Sequence, residues 1–338
     1  MIPFKINLDY EASLFDPNYF ENNSNNYKII REFEYVYFIV QKEKSTIKNF
    51  KGYEAKYLNL LREMGFIIPD FAPNETIYEY WWGQHHNREL EQKLNSKLTS
   101  ALIAQENNWG FQEGAIVENN EQLKSHLNKN PHIEKWIIKK PNGFSGIGHF
   151  QFSAHSLDEL DKVFISKFKN EKVLFEPYYD RFFDIGTTFI IGRGIVERKF
   201  MVENFNTHSG RFSGGIGAKD KGLFKEYIFK KYSYSLDELE LITDKIAKYY
   251  LNMGAQCNIQ IDSFVYREDG VLKLYSLVEV NYRKTMGLVI QALCETFKTN
   301  NLIEWRIVLA KENFPSSEWT KISPEGNHFH SYFKEVNL

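Results

Sequence analysis

The stretch "CNIQIDSFVYREDGVLKLYSLVEVNYRKTMG", Cys257 to Gly287, decides the reading of this chain. Asp269-Gly270 lies between two β-rich runs and predicts a two-residue hairpin turn. With Glu268 facing Val271, Asp262 falls opposite Leu277 and Gln260 opposite Glu279. Opposed residues share a face, so Asp262, Glu279 and Asn281 point the same way, and Asp262 and Glu279 become diagonal neighbours about 7–8 Å apart. The other face carries Ile259, Ile261 and Val265 against Leu272, Leu274, Val278 and Val280. A one-residue slip would mix the two sets, so the apolar face fixes the register.

Two carboxylates and an amide on one strand face are oxygen donors of the kind Mg²⁺ takes, with a substrate phosphate completing the set. The plain alternative is a solvated strand face with incidental acids. Arg283, two positions past Asn281, stays on that face if the strand continues. There it forms an ion pair or stabilises anionic oxygen in a transition state.

Working outward, composition narrows the classes. The 338 residues are 43% hydrophobic and 25% charged, an ordinary globular balance with room for two or three subdomains. Lys+Arg 42 against Asp+Glu 44 gives a net charge of -2, so no global basic field points to nucleic acid. Two cysteines, Cys257 and Cys294, do not make a disulfide framework and suit a reducing cytoplasm. The N-terminus has no apolar signal segment, and the longest apolar runs are too short to span a bilayer.

Along the chain, "YVYFIV" (Tyr35–Val40) and "FIIPDF" (Phe66–Phe71) read as strands flanking a helix in "GYEAKYLNLLREMG" (Gly52–Gly65), which predicts a small α/β unit. "NRELEQKLNSKLTSALIAQ" (Asn87–Gln105) reads as a helix, and "KWIIKK" (Lys135–Lys140) as a strand stopped by Pro141. "SLDEL" occurs at Ser156–Leu160 and Ser235–Leu239, each predicting a capping box at a helix start. The second of these helices should end at Gly254. His328 and His330 have no third ligand at matching spacing and read as satisfied or solvated histidines. Strands and helices mix throughout, so the fold class is α+β, with an α/β N-terminal unit.

One stretch resists local reading. "IKKPNGFSGIGHF" (Ile138–Phe150) places Gly143, Gly146 and Gly148 behind two lysines and a proline. It matches neither G-x-G-x-x-G nor the P-loop pattern, and alone it is a turn-prone loop.

Three blocks in order change that. "KPNGFSGIG", "FEPYYDRFFD" (Phe175–Asp184) and "QIDSF" with "EVNYR" together resemble the ATP-grasp superfamily, over roughly Asn95 to Gly287. The resemblance implies two α+β subdomains clasping ATP: residues 91–175 with a glycine-rich lid and 176–338 with the adenine hinge and metal site. Residues 1–90 would form the preceding α/β domain. It assigns Lys97 and Lys140 to the ATP phosphates, with Lys139 pointing away; a plain surface-helix lysine is the alternative for Lys97. Ser145, Gly146 and Gly148 would wrap the β- and γ-phosphates through backbone N–H groups. Glu176, Pro177, Tyr178 and Tyr179 would form the adenine hinge, and Asp184 would hold the ribose. Asp262, Glu279 and Asn281 would bind Mg²⁺, with Mn²⁺ as the alternative ion. Arg283 and Lys140 would serve the transferring phosphoryl group, joined by Arg198 and Arg211 near the acceptor. A solvated basic strand or loop is the alternative for the last two.

Gly186 stands where some ligases of the superfamily carry an arginine, which argues against the branch that adds glutamate to proteins. The implied activity is an ATP-dependent carboxylate–amine ligase working through an acyl phosphate, on a small-molecule or peptide carboxylate and an amine. A small-molecule kinase and a non-catalytic nucleotide sensor or scaffold are the alternatives. No nucleic-acid or membrane partner is implied; a homodimer follows by analogy with the fold.

Overall fold

The computed structural model describes residues 2–19, 24–48, 52–142, 149–154, 168, 171–207, 210–312, 314 and 317–338. Ser145, Gly146 and Gly148, and the first "SLDEL" at Ser156–Leu160, lie outside the described residues.

Three sheets organise the described chain. The first holds β1 (Phe4–Lys5), β2 (Thr46–Lys48), β3 (Asp70–Phe71) and β4 (Glu79–Tyr80), all parallel, in the order β3-β2-β1-β4. The second holds β5 (Ala115–Val117), β6 (Lys135–Lys139), β7 (His149–Ser153) and β8 (Val173–Pro177), antiparallel, in the order β5-β8-β6-β7. The third holds β9 (Arg181–Gly192), β10 (Ile195–Asn206), β11 (Phe212–Ala218), β12 (Asn258–Glu268), β13 (Val271–Asn281), β14 (Leu302–Leu309), β15 (Thr320–Lys321) and β16 (Phe329–Val336). Its order is β13-β12-β9-β10-β11-β14-β16-β15, antiparallel throughout.

The hairpin turn forms as its chemistry demands: Asp269 and Gly270 have φ of 49° and 78°, the two positive values of a type I′ turn. The register then departs from the simple count. From Glu268↔Val271 to Phe264↔Tyr275 pairing is regular, but beyond a bulge Asp262 faces Glu279 and Gln260 faces Asn281. The bulge takes up two extra residues of β13, so the faces keep their parity while the diagonal carboxylates become directly opposed. Its cause is local. The N–H groups of Ser276 and Leu277 both donate to the Trp109 carbonyl at 2.9 Å, and Ser263 Oγ donates to the Ser276 carbonyl at 2.6 Å.

"YVYFIV" is a correction. Val36–Val40 is a helix, not a strand, with Val36, Tyr37, Phe38 and Ile39 buried. A short run that is apolar on all sides fits either state, and its burial within the N-terminal core selects the helix. Only Asp70–Phe71 of the second expected strand pairs. The expected helix over Asn87–Gln105 is two, Arg88–Asn95 and Lys97–Glu106, parted at Ser96. At the second "SLDEL" the helix begins at Asp237, and Ser235 Oγ accepts from the Asp237 N–H at 3.3 Å, so the capping box does not form. Gly254 ends that helix with φ 97°.

The second sheet packs through Trp136, fully buried and stacked on Phe175 at 4.4 Å, with Ile138, Phe152 and Val173 around them. Such a stack adds about 1 kcal/mol beyond area burial. Against β13, the Val280 N–H donates to Ser100 Oγ at 3.2 Å and the Tyr282 N–H to Asn95 Oδ1 at 2.9 Å. These two bonds lock the start of the helix Lys97–Glu106 beside the carboxylate face. Among the described residues no helix is long and apolar enough to cross a membrane.

Candidate active site

Strand pairing brings the functional face together. Asp262 lies opposite Glu279 on one side and Gly186 on the other, and Asp184 lies opposite Phe264 and Asn204. Asp184, Asn204, Gln260, Asp262, Glu279 and Asn281 therefore share one face of the large sheet. They line a cavity of about 700 Å³. Across the cavity stands the second sheet. Lys139 pairs with His149 and Leu174 there, and Ile137 pairs with Glu176. Paired and alternate residues share a face, so Lys139, His149, Leu174 and Glu176 all line the same cavity.

That geometry exchanges the two lysines of the sequence reading. Lys139 is buried and forms an ion pair with Glu176 inside the cavity. Lys140 lies past the strand end, outside the cavity lining, and meets Glu171 at 3.5 Å. The core positions Trp136 and Ile138 set the parity: the face alternating with them carries Lys139. Lys97 reaches the same place from its helix, because its N–H donates to the Pro141 carbonyl at 2.9 Å, and it forms an ion pair with Glu279.

The carboxylates are electrostatically sorted. Burial pushes Asp262 up to about 7, and the facing Glu279 charge adds to the effect. Burial also acts to lift Glu279, but the charge and hydrogen bond of Lys97, together with the charges beyond it, hold that carboxyl below its usual range. Glu176 behaves likewise: burial raises it, and the Lys139 charge with hydrogen bonds from Lys139 and Tyr275 lowers it further than burial lifts it. Asp262 is held by amide N–H donors from Gln260 at 2.6 Å and Asn281 at 2.8 Å. Gly186 lies beneath them: a Cβ there would meet the Gln260 amide nitrogen at 2.8 Å and that of Asn204 at 3.0 Å, so those two side chains would have to shift.

The donor set fits a hard divalent cation. Two opposed carboxylates, one pushed up by burial and then by the charge of the other, gain from a positive ion between them, and the third donor is an amide oxygen. No group of three His, Cys, Asp or Glu side chains gathers among the described residues, so Asn281 is what completes the trio.

Arg283 lines the cavity, donates to Asn281 Oδ1 at 3.0 Å and pairs with Glu11 at 2.7 Å. Asp184 lines it too, paired with Arg181 at 2.8 Å. Arg211 lines the far part. Arg198 does not. An irregularity between Arg198 and Phe200 turns its side chain to the opposite face, where it meets Glu240 at 3.0 Å and Asp244 at 2.7 Å. Pro177, Tyr178 and Tyr179 are outside the lining. The Tyr178 N–H is donated to the Lys135 carbonyl at 2.8 Å, and Tyr179 packs on Tyr266 at 4.4 Å.

Sequence reasoning missed Lys139, His149, Asn204, Gln260 and Glu11. His149 sits beside the two lysines; burial first, then their charges, push it down to about 4, so its imidazole is neutral at pH 7. Its Nε2 is buried with no hydrogen-bond partner among the described residues. The alternation Gln260–Asp262 was a usable signal for Gln260; nothing local marks Glu11, which is 272 residues from Arg283.

No protein-family model and no curated protein matches this chain. Solved structures do. N5-carboxyaminoimidazole synthetase from Staphylococcus aureus, complexed with ADP, superposes with a TM-score of 0.55 at 12% identity, over 90% of this chain and 91% of that one. Biotin carboxylase from Campylobacter jejuni gives 0.53 at 12% identity, over 86% and 71%. The biotin carboxylase domain of 2-oxoglutarate carboxylase from Hydrogenobacter thermophilus, holding MgADP and bicarbonate, gives 0.52 at 12% identity, over 87% and 70%. The chain has the ATP-grasp fold.

Proposed function

We propose that this protein is an ATP- and Mg²⁺-dependent ligase joining a carboxylate to an amine. The observation that carries the reading is one cavity between two sheets, lined by Lys97, Lys139, Glu176, Asp184, Asp262, Glu279, Asn281 and Arg283. It holds cations for phosphates on one wall and oxygen donors for a metal on the other. Solved structures of the same fold that contain ADP or MgADP support the nucleotide.

In this reading Asp262, Glu279 and Asn281 hold Mg²⁺, which supplies neutralising charge to the phosphates. Lys97 and Lys139 bind phosphate oxygens, releasing their present carboxylate partners. Lys139 takes the role that the resemblance assigns to Lys140. Asp184 accepts from the ribose hydroxyls. Arg283, fixed by Glu11, stabilises charge where the substrate carboxylate attacks the terminal phosphorus. The amine then attacks the carbonyl carbon of the acyl phosphate, the C–O bond to phosphate breaks, and amide, inorganic phosphate and a proton are released. No protein nucleophile is needed, and two free thiols and the supply of ATP fit a cytoplasmic setting.

The test is phosphate release from Mg·ATP over a panel of amino acids and small carboxylates, offered singly and in pairs. The ligase reading expects stoichiometric ADP and phosphate only from a pair, and loss of that turnover in Glu279→Gln. ADP formation with a single acceptor and no phosphate would establish a kinase instead.

A further inference from the structure

The cavity does not stop at the metal strands. It continues along the large sheet to β10, β11, β14 and β16. From β12 to β16 is five strand steps, roughly 24 Å at a spacing of about 4.8 Å. Its character changes along the way. The near part is polar and charged. The far part is walled by Phe212, Ile307 and Phe329 from the sheet and by Ile29, Ile30 and Phe33 from the N-terminal unit.

This wall is built into the fold. The Phe33 and Phe329 rings meet at 5.2 Å, and Phe33, Phe212 and Ile307 pack on the central core. Next to Phe33, Glu32 accepts from the N–H groups of Asn327, His328 and Phe329 at 3.2, 3.0 and 3.2 Å and from His328 Nδ1 at 2.6 Å. Tyr35 and Ser331 hydroxyls meet at 2.6 Å. Three charges also line this part of the cavity: Asp9 from the N-terminal unit, Arg211 next to Phe212, and Glu312 just past β14. Among the described residues, neither the Asp9 carboxylate nor the Arg211 guanidinium has an ion-pair or side-chain hydrogen-bond partner.

We propose that the amine substrate of this site is an α-amino acid with a large apolar side chain; the inference rests on the ligase reading above. Its ammonium matches Asp9, its carboxylate matches Arg211, and its side chain covers the Phe33–Phe329 wall. Glycine leaves that wall wet, and a charged side chain gives up solvent to lie against it. Burying a leucine or phenylalanine side chain is worth about tenfold to a hundredfold in affinity over glycine.

The experiment is calorimetric titration of the full chain, first with Mg·ADP and then, on the loaded protein, with leucine, phenylalanine, glycine, lysine and glutamate separately. Leucine and phenylalanine should bind at least tenfold more tightly than the other three. Arg211→Ala should weaken that binding about tenfold or more, and Ile307→Asn should erase the preference over glycine. Arg211 is exposed, so its variant stays informative if Ile307→Asn fails to fold. Mg·ADP binding with no amino-acid binding, or with glycine, lysine or glutamate preferred, overturns the proposal and leaves the ligase reading standing. Absence of Mg·ADP binding overturns the nucleotide reading, and the proposal with it.

Discussion

Glu176 is a carboxylate buried between two sheets, gripped by Lys139 on one oxygen and by the Tyr275 hydroxyl at 2.7 Å on the other. Its folded pKa lies below the ordinary 4.5. A depressed carboxyl stabilises the fold above its unfolded pKa, and that stability is lost as pH falls through the lowered folded value. Glu176→Gln removes this pH-dependent part and leaves the Lys139 ammonium buried without its counter-charge. The expected outcome at pH 7 is a loss of about 3–5 kcal/mol in urea unfolding. Between pH 5 and 3 the variant should lose less stability than the parent; parallel acid limbs would show that the pair carries no linkage. The same pair shows what sequence could and could not give. Lys139 and Lys140 are adjacent and chemically equal, and the parity set by buried Trp136 and Ile138, with the pairing of β6 to β8, says which one enters the cavity. Arg198 was misplaced for a related reason, since a strand irregularity reverses parity without leaving a mark in residue type.

At the scale of elements, the legible parts are those whose conformation is set by their own residues. Asp269-Gly270 dictates its turn, and the alternating face of β12 and β13 dictates which side the acids take. The bulge that brings Asp262 directly opposite Glu279 depends instead on Trp109, more than 150 residues earlier, whose carbonyl takes two successive N–H groups. "YVYFIV" failed as a strand because its burial, not its period, selects the helix. The turn carrying Glu32 was likewise unreadable, yet it clasps the segment before β16. Burial acts to raise the Glu32 carboxyl, but His328 and three backbone N–H donors lower it below its usual range. Glu32→Ala should leave those donors without a partner and destabilise by about 1–3 kcal/mol. Hydrogen exchange should quicken at Asn327, His328 and Phe329 and remain unchanged in β12 and β13. Uniform quickening across the chain would mean that the clasp is part of global stability and not a local tie.

For the whole molecule, the decisive relation is between the second sheet and the large sheet. Lys139 and Glu176 belong to one, and Asp184, Asp262 and Glu279 to the other, yet all face one cavity. Each of the two lysines that line the cavity is paired with a carboxylate, Lys97 with Glu279 and Lys139 with Glu176. In the proposed reading, a nucleotide with its metal would exchange those pairs for contacts that need both sheets at once. Binding of this kind stabilises only the state in which both are folded and in place, by about 2.7 kcal/mol at a hundredfold excess over Kd. Mg·ADP should therefore raise hydrogen-exchange protection together in 135–139, in 173–177 and in 258–281. ADP without Mg²⁺ should protect the first two segments more than the hairpin, because Asp262 and Glu279 repel phosphate unless a cation intervenes. Protection confined to the hairpin under both conditions would place the nucleotide outside the space between the sheets. That result would remove Lys139 from phosphate binding, whatever its burial.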